Sequence, residues 1–199
     1  MIKNALLGGA LLALGIVASA SATNAAIIVP GTSDIWAWNG IAPPDDQMGS
    51  PTVDISPVLA LSGLAGIHSV TITATGETGN CPGCDVPNGA GGVLSHEDGA
   101  YNGIPDLNAP LNSLIGAWVN PTNAQDDMAF EIGTEGMFFV PNGATELFLG
   151  SMDGYQWNNN EGQFSVDVTA NSAVPEPFTL SLFGAGIAGV VILRRRKKA

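Results

Sequence analysis

A dense set of oxygen-bearing side chains lies near the end of the chain, between residues 153 and 160. It contains one carboxylate, four side-chain amides and two aromatic rings: Asp153, Gln156, Asn158, Asn159, Asn160, Tyr155 and Trp157. Asp and Asn oxygens on a tight loop can converge on a hard cation such as calcium, which leaves coordination positions for sugar hydroxyls. Aromatic rings beside the cation could stack on a sugar ring. The alternative is an Asn-rich turn that satisfies its own backbone groups.

Catalytic patterns are weak by comparison. The chain has no Gly-x-Ser-x-Gly elbow, which a serine hydrolase would need beside its histidine. Carboxylates such as Asp45 and Asp46 are adjacent in sequence, and adjacency does not create the facing pair that glycosidases require. We therefore expect a protein that is not an enzyme. A facing pair assembled by the fold, as in a secreted glycan-active enzyme, stays open as an alternative.

The elements that must position the loop are short strands. Residues 67–75 and 164–169 alternate between apolar and polar side chains, as half-buried strands do. Gly, Pro, Asn and Asp clusters separate further short apolar runs, including 35–38 and 114–119. This pattern predicts an all-β protein, an antiparallel β-sandwich of the jelly-roll, galactose-binding-like type.

The two ends of the chain differ from this body in charge. All six Lys and Arg residues are terminal, Lys3 at the start and Arg194, Arg195, Arg196, Lys197 and Lys198 at the finish. Lys3 precedes an apolar stretch and then small residues, which is the pattern of a secretory signal helix. We predict a signal peptide over residues 1–22, with cleavage as late as 26. The body should therefore be exported.

The C-terminal end has three ordered parts. Val174, Pro175, Glu176 and Pro177 precede an apolar run over 178–193, and a basic tail follows over 194–199. The run is about 24 Å long as a helix, marginal for the ~30 Å hydrocarbon core of a bilayer, and the basic residues should stop transfer and stay cytoplasmic. A permanent single-pass anchor behind a proline linker is the second interpretation of these parts, because the apolar run is short.

This order resembles the PEP-CTERM sorting signal of bacteria that export exopolysaccharide. The resemblance implies that exosortase, a membrane transpeptidase, recognises and removes the tail during export. The protein would be transiently anchored in the membrane and then reach the cell surface or the extracellular matrix. The predicted domain order places the sandwich over 27–171, a Pro linker over 172–177, and a transmembrane helix over 178–193.

The exported body is strongly acidic. All eighteen carboxylates fall between Asp34 and Glu176, and no Lys or Arg accompanies them there. Because nucleic-acid binding depends on Lys and Arg contacts to phosphate, the composition excludes it. Solvent cations are the remaining countercharges, and grouped oxygen ligands favour calcium. For most of these carboxylates, the alternative is that their charge only keeps a secreted protein soluble.

Two cysteines, Cys81 and Cys84, lie in a Cys-Pro-Gly-Cys turn. Disulfides persist outside the cytoplasm, so the first interpretation is a small-loop disulfide that stabilises this turn. The same spacing occurs in redox and zinc sites, but a second such pair and a matching histidine pair are missing from the sequence.

The order of a Leu-Gly-rich strand, Asp, aromatic, Asn-Asn, Gly and Phe-Ser-Val-x-Val resembles the end of LecA-like galactose lectins. The resemblance implies that calcium and sugar meet at this loop, with Asp153, Asn159 and Asn160 as side-chain ligands. It also implies a main-chain carbonyl ligand at Asn80. We take His96, Asp98, Tyr155 and Trp157 as candidate sugar contacts.

Together these features predict an exported, non-catalytic, calcium-dependent carbohydrate-binding module. Its partners would be exosortase during export and an exopolysaccharide or galactoside-type glycan afterwards. A structural matrix or biofilm protein without a specific ligand is the first alternative, and a secreted glycan-active enzyme is the second.

Overall fold

The computed structural model describes residues 25–44, 53–83, 87–93, 95–98, 100–123 and 127–172, with backbone alone for 95–98. The predicted signal peptide, the proline linker, the apolar run 178–193, the basic tail and Cys84 lie outside these ranges. In the parts of the chain that the structure describes, no helix is both long and apolar enough to cross a membrane.

The described residues form antiparallel sheets with almost no helix, as the strand pattern predicts. The strands, in chain order, are β1 (Ile27–Pro30), β2 (Val58–Ser62), β3 (Ile67–Gly79), β4 (Asn88–Gly89), β5 (Ser95–Asp98), β6 (Leu107–Pro110), β7 (Leu114–Val119), β8 (Met128–Glu131), β9 (Glu135–Phe139), β10 (Glu146–Ser151) and β11 (Glu161–Ser172). One sheet has the order β1-β11-β3-β4, with β9 also paired to β3. A second has the order β2-β10-β7-β8, and β5 pairs with β6.

The first sheet, which we call the open sheet, is built on the long pair β3 and β11. Val70, Ile72 and Phe164 point inward and are fully buried, whereas Thr71 and Thr73 on the opposite face of β3 are exposed. This is the alternation that the sequence predicts, because successive side chains of a strand point to opposite faces. The outer face of β3 is therefore largely polar.

The second sheet, which we call the covered sheet, is buried on both faces. In β7, Leu114 and Trp118 pack between the two sheets, while Ile115 and Val119 belong to a second apolar cluster on the far side. All six residues of β7 are buried. A strand covered on both faces has a continuous apolar sequence, which explains why this segment does not alternate.

A layer of loops covers the far side of this sheet. Residues Ile35–Ala37 form a 3-10 helix, so the strand predicted over 35–38 is wrong. The cause is local: Asp34 caps the turn by accepting a hydrogen bond from the backbone N–H of Trp36 (2.8 Å). Asn102 then fixes the layer, because its side-chain amide donates to the carbonyl oxygens of Trp36 and Ile41 (2.6 Å each).

The register of β3 and β11 defines two ends of the sandwich. At one end Glu161 pairs with Gly79, beside the loop 152–160, and we call this the loop end. At the other end Ser172 pairs with Ile67, where the chain continues toward the sorting segment, and we call this the tail end. A strand of 12 residues is roughly 40 Å long at ~3.3 Å per residue. The two ends are therefore well separated.

Candidate functional site

The candidate site is the loop that joins β10 to β11 at the loop end. Its middle is a 3-10 helix, Trp157–Asn159, held by a fully buried tryptophan. The Trp157 indole N–H donates to the carbonyl of Ser151 (2.8 Å), and the ring meets Trp36 edge to face at 5.8 Å between centroids. The loop is thus anchored in the second apolar cluster, and its polar residues are held close to the core.

The backbone of this loop turns sharply at Gln156. This residue adopts the left-handed conformation (φ 63°) immediately before the 3-10 helix, a conformation that is uncommon for residues other than glycine. The backbone N–H of Asn159 donates to Gln156 O (2.9 Å), and that of Asn160 donates to Trp157 O (3.1 Å). The side chains of Asn159 and Asn160 therefore both project from one hydrogen-bonded turn.

Asp153 supplies the carboxylate of the site. Its side chain is 2% exposed, and Oδ1 accepts a hydrogen bond from the backbone N–H of Gly154 (2.6 Å). Burial of a carboxylate is costly unless hydrogen bonds or a cation compensate. Asp34 and Asp127 are buried as well, so burial of the carboxylate does not by itself distinguish this loop.

The amide oxygens of Asn159 and Asn160 are the most informative atoms of the loop. Both Oδ1 atoms are buried and have no hydrogen-bond partner among the described residues. The corresponding nitrogens are engaged, since Nδ2 of Asn160 donates to Gly31 O (3.1 Å) and Nδ2 of Asn159 donates to Gln156 Oε1 (3.1 Å). The two side chains are thus held in place with their oxygen atoms uncommitted.

Two glycines allow the N-terminal segment to lie against this loop. A Cβ on Gly31 would lie 2.5 Å from Glu161 O, and one on Gly150 would lie 2.5 Å from Ser33 O. Both distances are shorter than a carbon atom can tolerate beside a carbonyl oxygen. The absence of side chains at these positions lets Gly31 reach Asn160 and lets Ser33 accept a hydrogen bond from the backbone N–H of Ser151 (2.9 Å).

The fourth predicted metal ligand, Asn80, lies at the same end of the molecule. Because Gly79 pairs with Glu161, Asn80 and Asn160 stand one residue beyond the last pair of the β3–β11 ladder. The structure therefore brings Asn80, Asp153, Asn159 and Asn160, which span 81 positions of sequence, to one end of the sandwich. Cys81, the next residue, is disulfide-bonded.

The candidate sugar contacts have different fates. Tyr155 is 57% exposed on the loop and is available to a ligand. The prediction for Trp157 is wrong for this structure, because its ring is fully buried and its N–H is engaged in the core. The backbone of His96 and Asp98 lies in β5, paired with Ala109 and Leu107, and their side chains lie outside the described residues.

Sequence reasoning missed a group of buried polar residues beside the loop. Ser113 and Asn112 exchange backbone hydrogen bonds with Met152, the residue before Asp153 (2.8 Å each). The hydroxyl of Thr78 donates to Asn112 O (3.0 Å), and Oγ of Ser113 is buried without a hydrogen-bond partner in the described part of the chain. The sequence does contain a sign of the turn after β6, because Asn is one of the few residue types that tolerate the left-handed conformation that Asn112 adopts there (φ 64°).

The described residues contain no group of three or more His, Cys, Asp or Glu side chains that could hold a metal ion. The candidate site has a different composition, with one carboxylate, amide oxygens and a main-chain carbonyl. Oxygen ligands suit calcium, whereas softer metals prefer nitrogen and sulfur.

Comparison with known proteins identifies the C-terminal segment. Residues 173–197 match the PEP-CTERM protein-sorting motif, in agreement with the resemblance of Val174–Pro177 and the residues that follow. The chain therefore carries a membrane-anchored sorting signal of an exported protein, which implies processing by exosortase. The comparison with curated proteins gives no match.

Among solved structures, the described fold is similar to the EclA N-terminal domain, a PllA-like lectin. The identity is 17% and the TM-score is 0.41, and the match covers 75% of this chain and 98% of that chain.

Proposed function

We infer that the exported domain is a non-catalytic, calcium-dependent carbohydrate-binding module whose site is the loop Asp153–Asn160. The observation that carries this proposal is the pair of buried amide oxygens of Asn159 and Asn160 without a hydrogen-bond partner among the described residues. Buried polar atoms in native structures are normally satisfied, so such a pair indicates a ligand that the chain alone does not contain.

The donor set fits a hard cation. Asp153 offers one negative charge, Asn159 and Asn160 offer neutral oxygens, and Asn80 contributes its carbonyl. Calcium takes six to eight oxygen ligands at about 2.3–2.6 Å, so a bound ion would keep positions for water or sugar hydroxyls. The chain's own part is to hold these oxygens at one end of the sandwich, through the anchored Trp157 and the Gly31 contact of Asn160.

The charge of the domain favours the same conclusion. No Lys or Arg lies between residues 4 and 193, so within this span the carboxylates have no ammonium or guanidinium countercharge. A metal cation from solvent is the natural countercharge for a buried carboxylate in such a chain. Tyr155, exposed on the same loop, would then provide a surface on which a sugar ring could stack.

A second candidate function rests on the composition. Eighteen carboxylates in a sorted, exported chain suit a structural matrix protein whose surface organises cations and polymer without a specific glycan. This candidate differs from the lectin in its stoichiometry, because it requires many weak cation contacts in place of one built site.

The test is a calcium titration of the full chain in detergent by calorimetry, followed by a glycan array with calcium and with chelator. The lectin proposal expects one saturable calcium site and calcium-dependent binding of a glycan, which Tyr155→Ala weakens without changing calcium affinity. Many weak, non-saturating calcium contacts without any glycan would favour the matrix candidate, and one saturable calcium site without any glycan would refute the carbohydrate part of the lectin proposal. Absence of a saturable site would refute the calcium mechanism.

A further inference from the structure

The two most exposed large hydrophobic side chains of the described residues are neighbours. Met137 is 61% exposed and Phe139 is 63% exposed. Both lie on β9, two residues apart, and so project from the same face of the open sheet at a spacing of about 7 Å. His68 joins them, because its ring meets Phe139 edge to face at 5.3 Å between centroids. We call Met137, Phe139 and His68 the apolar corner.

The register places the apolar corner at the tail end. Phe139 pairs with Ser69, which also pairs with Asn171, the residue before Ser172. Phe138, between the two exposed residues, packs against the core. This contact holds β9 to the domain. The corner therefore lies beside the point at which the chain continues toward the sorting segment.

Charge is distributed unevenly over the same face. Residues that pair across β9, β3 and β11 form rows on this face. The row nearest the tail end contains Ser69, Phe139 and Asn171, and the next row contains Thr71, Met137 and Thr169. The first carboxylates on these three strands, Glu135 and Asp167, appear in the third row, on either side of Thr73. Two uncharged rows in a domain with seventeen carboxylates make this the part of the open sheet that approaches an apolar surface at the lowest electrostatic cost.

The length of the intervening chain limits where this corner can be. Five residues, 173–177, separate Ser172 from the apolar run that begins at Phe178. Even fully extended, such a segment spans roughly 20 Å, about half the length of β11. While the sorting signal holds the chain at the membrane, the tail end stays near the lipid surface, and the loop end is the distal one.

We propose that the apolar corner rests on the lipid surface of the membrane until the sorting segment is removed. Lipid is the occupant that the charges favour over a second copy of the chain, since two domains without Lys or Arg would repel each other. The proposal rests on the sorting motif and is independent of the calcium site. Its consequence is a tilted domain whose tail end lies at the membrane, with the loop end farther from it.

The test uses the full chain, one copy per nanodisc, in phosphatidylcholine with brominated acyl chains that quench tryptophan. Phe139→Trp reports on the corner, and Tyr155→Trp is the matched control, with a similar exposed fraction at the loop end. The emission added by Phe139→Trp should be quenched at least twofold more than the emission added by Tyr155→Trp. Equal quenching of the two would overturn the proposal.

A second measurement needs no substitution. Met137 is 61% exposed, so peroxide should oxidise it readily where no lipid covers it. Lipid contact should make Met137 oxidise clearly more slowly in nanodiscs than in dilute detergent, as read by mass spectrometry. Equal oxidation of Met137 under the two conditions would contradict the proposal. Protection of Met137 that rises with protein concentration in detergent would instead assign the corner to a second copy.

Discussion

Two Asn-containing loops at opposite ends of the sandwich differ in how the side-chain oxygens of their Asn residues are hydrogen-bonded. At the tail end, the loop after β7 satisfies itself: Oδ1 of Asn120 accepts from the backbone N–H and the hydroxyl of Thr122 (3.0 and 2.7 Å). At the loop end, the same atom of Asn159 and of Asn160 has no hydrogen-bond partner among the described residues. Residue type alone therefore does not distinguish a structural turn from a site.

The buried carboxylates extend this comparison. Asp127 is 5% exposed, and its Oδ1 accepts the backbone N–H of Asn120 (2.7 Å), while Asp153 is 2% exposed and accepts that of Gly154 (2.6 Å). Each Asp thus supports its own loop by accepting a backbone hydrogen bond. What differs is the neighbouring amide oxygens, which are committed at the tail end and uncommitted at the loop end.

The largest expected effect comes from removing the anchor of the loop end. Trp157→Ala should cost about 3–5 kcal/mol of unfolding free energy, since a fully buried ring and its contact with Trp36 are lost. Trp157→Phe, which keeps most of the packing but not the hydrogen bond to Ser151, should cost distinctly less. Chemical denaturation of the full chain measures both. Near-equal values would mean that the ring does not anchor the loop.

The tail-end loop should respond to substitution independently of calcium. Asn120→Ala removes the acceptor of two hydrogen bonds and leaves a partly buried Thr122 N–H without it, at a cost of about 1–3 kcal/mol. Thermal unfolding with calcium and with chelator should give the same loss. A loss that depends on calcium would remove the distinction between the two ends.

The matched change at the loop end should behave in the opposite way. Without calcium, Asn159→Ala removes an oxygen that has no partner in the described chain together with the hydrogen bond from Nδ2 to Gln156 Oε1, so the cost should stay within about 0.5–1.5 kcal/mol. With calcium, the same change removes a ligand and should become clearly destabilising. Thermal unfolding under both conditions measures the difference, and equal effects would argue against Asn159 as a ligand.

The smallest effect concerns a carboxylate at neither loop. Hydrogen bonds from the backbone and side chain of Ser56 hold the pKa of Asp54 below its usual value of 3.8. A lowered pKa stabilises the fold above the unfolded value, and this contribution is lost as pH falls through the folded pKa. Asp54→Asn should therefore lower the melting temperature slightly at about pH 7 and leave it unchanged at about pH 2. A larger loss of melting temperature at about pH 2 than at about pH 7 would mean that the pKa of Asp54 is not lowered in the folded protein.

The sequence predicts the open sheet well because one face of it meets solvent. Thr71 and Thr73 alternate with Ile72 and Ala74, and this period-2 pattern follows directly from half burial. The strand prediction fails for Ile35–Ala37, where the capping Asp34 overrides the preference of β-branched and aromatic residues for a strand. The covered sheet is predicted only in part, since continuous apolar runs do not reveal which side chain faces which layer.

The candidate site is predictable in its residues more than in its geometry. Asp153 and the pair Asn159 and Asn160 are recognisable from type and spacing, and the β3–β11 register is needed to bring Asn80 to the same end. Nothing in the residue types separates the exposed Tyr155 from the buried Trp157 two positions later. That difference depends on Trp36, which lies more than a hundred positions away in sequence.

The most direct test of the central claim compares one change at the two ends. Asp153→Asn and Asp127→Asn each remove a buried charge and keep an oxygen that can accept the local backbone N–H. At a hundredfold excess over its dissociation constant, calcium should stabilise the full chain by about 2.7 kcal/mol, or roughly 5–10 °C in melting temperature. The account predicts that Asp127→Asn keeps this shift and Asp153→Asn loses it. An equal shift in both variants, or none in the unaltered chain, would contradict the assignment of calcium to the loop end.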